Sequence, residues 1–172
     1  MKSKRIYNFG AGPAMLPEPI LKQAQEELLN WRGMGMSVME IGHRTPEYMQ
    51  LMQDAEYSLR TLLKIPSNYH VLFLSGAART QFAMIPMNLL HGDEHGAYLV
   101  TGIWSELAYQ EAKLLKNAYC VYGEQEKEFK TVPDKPALRL KDQTTYLYYT
   151  SNETINGIRF PYVPKIDGVP LI

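Results

Sequence analysis

The chain has 172 residues, 45% of them hydrophobic and 21% charged, the make-up of an ordinary soluble globular protein. Lys+Arg and Asp+Glu balance at 18 each, so no bulk attraction to nucleic acid or to an anionic membrane is expected. No run of 18 apolar residues occurs, and the basic start Met1-Lys2-Ser3-Lys4-Arg5 is not followed by an apolar stretch; neither a membrane span nor a secretion signal is expected, and the cytoplasm is the expected compartment.

In chain order, a loop (Asn8-Phe9-Gly10-Ala11-Gly12-Pro13-Ala14) comes first. Pro17 and Pro19 open a helix, where a missing N–H costs little. Leu21, Ala24, Leu28 and Trp31 fall at helical spacing, and Gly33 suits a left-handed stop. Thr45-Pro46 starts a second helix, with a cap residue followed by proline at the first position. Its predicted buried stripe is Tyr48, Met52, Ala55, Leu59 and Leu62, and Pro66 ends it.

His70-Val71-Leu72-Phe73-Leu74 is a short apolar run of β-forming residues and predicts a buried strand. The turn Ser75-Gly76-Ala77-Ala78-Arg79-Thr80 follows, then a helical stretch through Leu90. A strand over 97–100, a helix over 104–115, a strand over 118–122 and a strand over 145–150 complete the pattern. Strands alternating with helices predict an α/β fold with a largely parallel sheet. The single cysteine, Cys120, sits in the apolar run 118–122 and predicts a buried strand thiol with no internal disulfide. The last residues, Gly168-Val169-Pro170-Leu171-Ile172, read as the entry to a strand without the usual polar tail, so a continuation beyond Ile172 is expected.

Four segments carry candidate chemistry. In open α/β folds ligands sit at the carboxyl ends of strands. At Leu74–Gln81 the small residues Gly76, Ala77 and Ala78 allow close approach to backbone, the helix N-terminus offers free N–H groups, and Arg79 adds a permanent charge. A phosphate suits such a site; the alternative is a plain tight turn with a solvated arginine. His43 and Arg44 precede a capped helix and suit a carboxylate or phosphate, or form a simple surface pair. Trp104, in Thr101-Gly102-Ile103-Trp104-Ser105, is either a core plug or a ring that faces a planar cofactor. The polar run Thr150-Ser151-Asn152-Glu153-Thr154-Ile155-Asn156-Gly157 either orients a ligand or satisfies turn backbone.

These segments, in this order on one chain, resemble the phosphoserine aminotransferase family, fold-type-I, class V enzymes that use pyridoxal phosphate. The matching stretches are 8–17, 33–44, 65–69, 71–74, 81–83, 86–88 and 150–157. The resemblance covers essentially the whole chain but only about the first half of a family member. It implies an N-terminal segment (1–16) and an incomplete cofactor-binding large domain (17–172), a mostly parallel sheet flanked by helices. It implies that the Ala78 N–H and Arg79 lie beside the cofactor phosphate. Trp104 is implied to stack on the pyridine ring and Thr154 to bond the ring hydroxyl. Arg44 is implied to grip the substrate carboxylate and His43 to help bind the substrate phosphate. The chain departs from many relatives in having Ala77 and Ala78 where the turn is often richer in glycine.

The implied reaction interconverts phosphoserine and 2-oxoglutarate with 3-phosphohydroxypyruvate and glutamate, in serine biosynthesis and in some relatives pyridoxine biosynthesis, by a homodimer with no metal. The family's Schiff-base lysine, and the aspartate that faces the pyridine nitrogen, are expected beyond Ile172. Lys113, Lys116 and Lys141 do not match the lysine motif. No catalytic residue is therefore expected in this chain, which alone is expected not to transaminate. The alternative is a non-catalytic fragment or interaction module of the same fold. Two further alternatives are an aminotransferase for another small amino acid, and a nucleotide-binding domain, for which no acidic residue follows the turn to hold a ribose.

Overall fold

The computed structural model describes residues 5–123, 129–134 and 138–172. Two compact units meet in sequence between Leu74 and Ser75. The first holds two helices. Helix α1 (Glu18–Glu27) begins after Pro17 and carries an exposed Lys22–Glu18 pair at 2.8 Å, one turn apart. Helix α2 (Pro46–Leu63) begins where the Thr45 hydroxyl accepts the Tyr48 N–H at 3.3 Å and ends at Lys64, whose φ of 54° is left-handed.

Three expectations for this unit are corrected. Helix α1 stops at Glu27, short of Trp31, and Leu21 and Leu28 are exposed. The cause is local. Asn30 leaves the helical region, Arg32 adopts φ 50°, and the Asn30 side chain accepts the Gly35 N–H at 2.6 Å, tying off a loop. Trp31 is buried in a short 3₁₀ turn (Trp31–Gly33), with the Arg32 guanidinium 4.7 Å from its ring centre, so Gly33 shapes that turn rather than capping α1. On α2, Tyr48, Met52, Ala55 and Leu59 are half-buried, but Leu62 is 78% exposed. Finally, His70–Leu74 forms no strand. Leu72, Phe73 and Leu74 are 71%, 50% and 56% exposed. An apolar run becomes a buried strand only when neighbours hydrogen-bond its edges, and no described strand pairs with this one.

The second unit is a three-stranded parallel sheet in the order β2-β1-β3, built from β1 (His95–Leu99), β2 (Ala118–Tyr122) and β3 (Thr144–Tyr148). Helices α3 (Ala78–Leu89) and α4 (Ile103–Leu115) precede and follow β1. A short antiparallel hairpin, β4 (Asn152–Glu153) with β5 (Ile158–Arg159), follows β3, and Leu171 forms an isolated parallel bridge to Leu147. The α/β class and parallel sheet flanked by helices are as the alternation predicts.

Strand β1 supplies both cores, as period-two alternation requires. Tyr98 and Val100 face Phe82, Ala108, Tyr109, Ala112, Tyr146 and Tyr148; Ala97 and Leu99 face Tyr119, Leu147 and Phe160. The first core is rich in phenols. Tyr98 and Tyr146 share a hydroxyl–hydroxyl bond at 2.7 Å, and Tyr98 stacks on Tyr148 at 5.0 Å. Burial, reinforced by the bond to Tyr146, pushes the Tyr98 phenol far above its ordinary range; burial also raises Tyr146 and Tyr148. Cys120 lies in β2 as expected but is only half-buried, its thiol pointing to the Tyr122 carbonyl at 2.8 Å.

Candidate functional site

Helix α3 enters β1 through a short loop and α4 leaves it, so both helix N-termini lie at the carboxyl end of the parallel strands. That is the end where open α/β sheets bind ligands. Each N-terminus presents N–H groups with no intrahelical acceptor and a partial positive charge. The two are finished differently.

At α3 no side chain caps the helix. Ala77 precedes it in extended conformation, and its carbonyl accepts the Thr80 N–H at 2.9 Å. Gly76 has φ 96°, and a Cβ there would lie 2.7 Å from the Thr80 hydroxyl oxygen. Glycine therefore lets the turn close tightly on the first helical residues. Ala78 and Arg79 are exposed. This end of α3 thus leaves its first N–H groups without a side-chain cap, with an exposed arginine next to them in sequence.

At α4 the first N–H groups are taken by side chains. The Glu153 carboxylate, 1% exposed, accepts the Trp104 N–H at 2.8 Å on one oxygen and the Ser105 N–H at 3.0 Å on the other. The Asn156 side-chain oxygen takes the Ile103 N–H at 3.0 Å. The Ser105 hydroxyl accepts the Thr101 and Gly102 N–H groups at 2.8 and 3.1 Å. Gly102 is needed here for space rather than for backbone freedom, since its extended backbone suits any residue. A Cβ on it would lie 2.4 Å from the Glu153 carboxyl carbon.

The same hairpin delivers Thr154. Its hydroxyl oxygen accepts the indole N–H of half-buried Trp104 at 2.8 Å. A threonine hydroxyl has one proton and two acceptor sites. Because it accepts from the indole, its own proton remains available to a ligand. Trp104 and Thr154, singled out from separate segments, thus meet. Glu153, Asn156 and Ser105 were inside those segments but had no assigned role. The polar run 150–157 both satisfies backbone, through Glu153 and Asn156, and presents a free hydroxyl proton, through Thr154.

His43 and Arg44 belong to the first unit and are exposed in the turn before α2. That turn is held from both sides. Upstream, Ser37 and Glu40 form a reciprocal capping box, with the Ser37 N–H on the Glu40 carboxylate at 2.8 Å. Downstream, the Thr45 N–H reaches the Gly42 carbonyl at 3.0 Å. The two exposed side chains therefore sit on a turn braced from both sides.

Lys113 and Lys116 end α4, and Lys141 precedes β3 with its ammonium 4.5 Å from the Tyr119 ring centre. All three lie at the amino end of the sheet, away from Trp104. Among the described residues no group of three or more His, Cys, Asp or Glu converges to hold a metal ion. No described helix is long and apolar enough to cross a membrane.

Comparison with known proteins points the same way. The aminotransferase class-V family profile matches residues 6–167. The chain is 65% identical over 170 residues to a phosphoserine aminotransferase of Legionella pneumophila (strain Lens), covering 99% of this chain and 47% of that relative. Against the phosphoserine aminotransferase of Chromobacterium violaceum it is 50% identical, covering 98% and 47%. The solved phosphoserine aminotransferase from Bacillus circulans subsp. alkalophilus superposes with a TM-score of 0.90 at 42% identity, over 98% of this chain and 47% of that one. A pyridoxal-phosphate-bound phosphoserine aminotransferase from Trichomonas vaginalis superposes with a TM-score of 0.89 at 39% identity, over 97% and 47%. The chain spans about half the length of the relatives it matches.

Proposed function

The chain belongs to the class-V aminotransferase family, and we propose that it is the N-terminal portion of a pyridoxal-phosphate-dependent phosphoserine:2-oxoglutarate aminotransferase of serine biosynthesis. The observation that carries this reading is the Trp104–Thr154 contact at 2.8 Å, which pairs an aromatic ring with a hydroxyl proton still free to donate. The relatives' names support the substrate, and the open α3 N-terminus supports an anionic cofactor.

The residues present fit that cofactor. The Ala78 N–H and the Arg79 guanidinium hold the phosphate at a helix N-terminus. Trp104 would lie against the pyridine ring, and Thr154 would offer its proton to the ring hydroxyl. Arg44 grips the substrate carboxylate, and His43 helps hold the substrate phosphate. When bound, pyridoxal phosphate supplies an electron sink that lets an amino group pass between carbon skeletons. These side chains bind and orient; none of them anchors the cofactor covalently. The 172-residue chain by itself therefore does not transaminate. Residues 17–172 contribute to the cofactor-binding large domain, preceded by an N-terminal segment (1–16), and residues 1–4 of that segment lie outside those described. The whole enzyme works as a cytoplasmic homodimer without metal, nucleic acid or membrane, and acts on phosphoserine, 2-oxoglutarate and glutamate. A further part in pyridoxine biosynthesis belongs to the same proposal.

Intact mass of the source protein, treated with pyridoxal phosphate with and without borohydride, tests this. A species heavier than 19.7 kDa that gains one reduced cofactor on a lysine beyond Ile172 supports it. A 19.7 kDa chain alone, with no specific adduct, overturns the enzyme reading and leaves a non-catalytic module of this fold.

A further inference from the structure

A buried, ionisable side chain with every hydrogen bond directed at one helix end is a feature the binding roles above do not use. Glu153 is 1% exposed, and its two oxygens are spent on the Trp104 and Ser105 N–H groups at 2.8 and 3.0 Å. Asn156, three residues on, takes the Ile103 N–H at 3.0 Å, so one hairpin satisfies three consecutive N–H groups of α4. The residue after Glu153 is Thr154, and the first of the two N–H groups on Glu153 belongs to Trp104. The clasp thus joins the two residues whose side chains meet at 2.8 Å. Gly102 makes room for it, since a Cβ there would lie 2.4 Å from the carboxyl carbon.

We propose that Glu153 is a positioning residue: its carboxylate locks the β4–β5 hairpin onto the α4 N-terminus, fixing Trp104 and Thr154 as one unit, and by filling that anion site it leaves the α3 N-terminus as the one that receives a phosphate. The inference rests on the reading of Trp104 and Thr154 as cofactor-facing groups. The physics has two parts. Two charge-assisted bonds to adjacent amides hold the carboxylate in one pose, and with it the backbone of the next residue. A fixed anion at α4 also cancels the positive end of that helix, whereas α3, one element away in the same unit, keeps its own. A doubly charged phosphate approaching this end of the sheet is therefore repelled at α4 and attracted at α3, which sets which way round an elongated phosphorylated ring lies.

The indole N–H signals in a ¹H–¹⁵N spectrum of the chain read this directly. The sequence has two tryptophans, so Trp104→Phe assigns both. Thr154→Val gives the shift expected when the indole loses its acceptor. The expected result is that Glu153→Gln moves the Trp104 indole signal in the same direction while the Trp31 signal stays put. Pyridoxal phosphate binding weakens by about tenfold, the loss of about 1.4 kcal/mol, whereas inorganic phosphate binding at α3 is unchanged. A folded Glu153→Gln chain with an unmoved Trp104 indole overturns the proposal, as does equal weakening of both ligands, which a general loss of stability would produce. Wild-type amide exchange covers the case in which the variant does not fold. Protected Trp104 and Ser105 amides, in a turn where helix amides ordinarily exchange freely, support the clasp; unprotected ones overturn it. If the wild-type chain takes up no pyridoxal phosphate while Glu153→Gln still moves the indole, the clasp stands and the cofactor reading falls.

Discussion

Replacing Gly102 by alanine adds one methyl group where the second unit has no room for it. The backbone there is extended, so alanine meets no conformational strain. By removing freedom from the unfolded chain it would by itself add about 0.4–1 kcal/mol of stability. Against this stands the methyl position 2.4 Å from the Glu153 carboxyl carbon and 2.6 Å from one of its oxygens. Contact at that distance is impossible, so the carboxylate must leave. Its departure strands the Trp104 and Ser105 N–H groups, each costing about 1–3 kcal/mol if left without a partner. The net expectation is a loss of about 2–4 kcal/mol. Urea unfolding followed by the near-ultraviolet dichroism of the second unit's tyrosines measures it. The control is Glu153→Ala. If the clash is the cause, Gly102→Ala costs far less once Glu153 is already gone, and the double variant shows a coupling of about 1–3 kcal/mol. Additive losses, or a Gly102→Ala chain as stable as the parent, refute the reasoning.

Thr154→Val keeps the shape of the side chain but removes both the acceptor for the Trp104 indole and the free proton; pyridoxal phosphate affinity is expected to fall about tenfold, read by equilibrium titration, and Thr154→Ser to retain most of it. Thr45→Ala removes the cap on α2 and should cost about 0.5–2 kcal/mol in urea unfolding. The phenols of Tyr98, Tyr146 and Tyr148 are all raised, chiefly by burial, above the ordinary phenol range. The unfolded chain therefore releases these protons first. Stability from the cluster is complete below the unfolded value and lost as pH rises beyond it. Alkaline titration of tyrosine absorbance should show these phenols ionising only together with unfolding; ionisation in the folded chain at the ordinary value would contradict the packing.

The elements of the second unit were readable because their signals are local. The continuous apolar run Ala97–Val100, the helical stretch from Trp104 and the aromatic-rich run at 145–148 each specify a short piece that packs against its sequence neighbours. The starting cap of α2 was legible for the same reason, since Thr45-Pro46 acts within one turn. At the site, Trp104 stood out by residue type and place and Thr154 only through the family resemblance, and their contact joins positions 50 apart, a span across which periodicity carries no information. Glu153 was hidden more completely. A carboxylate in a polar run after a strand looks like any solvated turn residue, and only the fold reveals that it is among the most buried side chains.

The failures share a different cause. His70–Leu74 has the composition of a central strand, yet in this chain it stands unpaired and exposed. Composition describes what a segment can do when flanked; it cannot supply the flanking strands, whose N–H and C=O groups make a strand out of an extended run. The helical stripe from Leu21 to Trp31 failed for the converse reason. Its spacing was sound, but the backbone leaves the helix at Asn30, and the Asn30 side chain captures the Gly35 N–H at 2.6 Å in place of a helical partner. Asparagine competes with helix by bonding nearby backbone, so it outweighed four well-spaced apolar residues. Leu21 and Leu28 are left exposed on α1, as are Leu72 and Phe73. Such apolar side chains gain about 25 cal/mol per Å² when covered. The same segments that misled the sequence reading are therefore those with most to gain from further contacts, and hydrogen exchange should find them the first to open in the isolated chain.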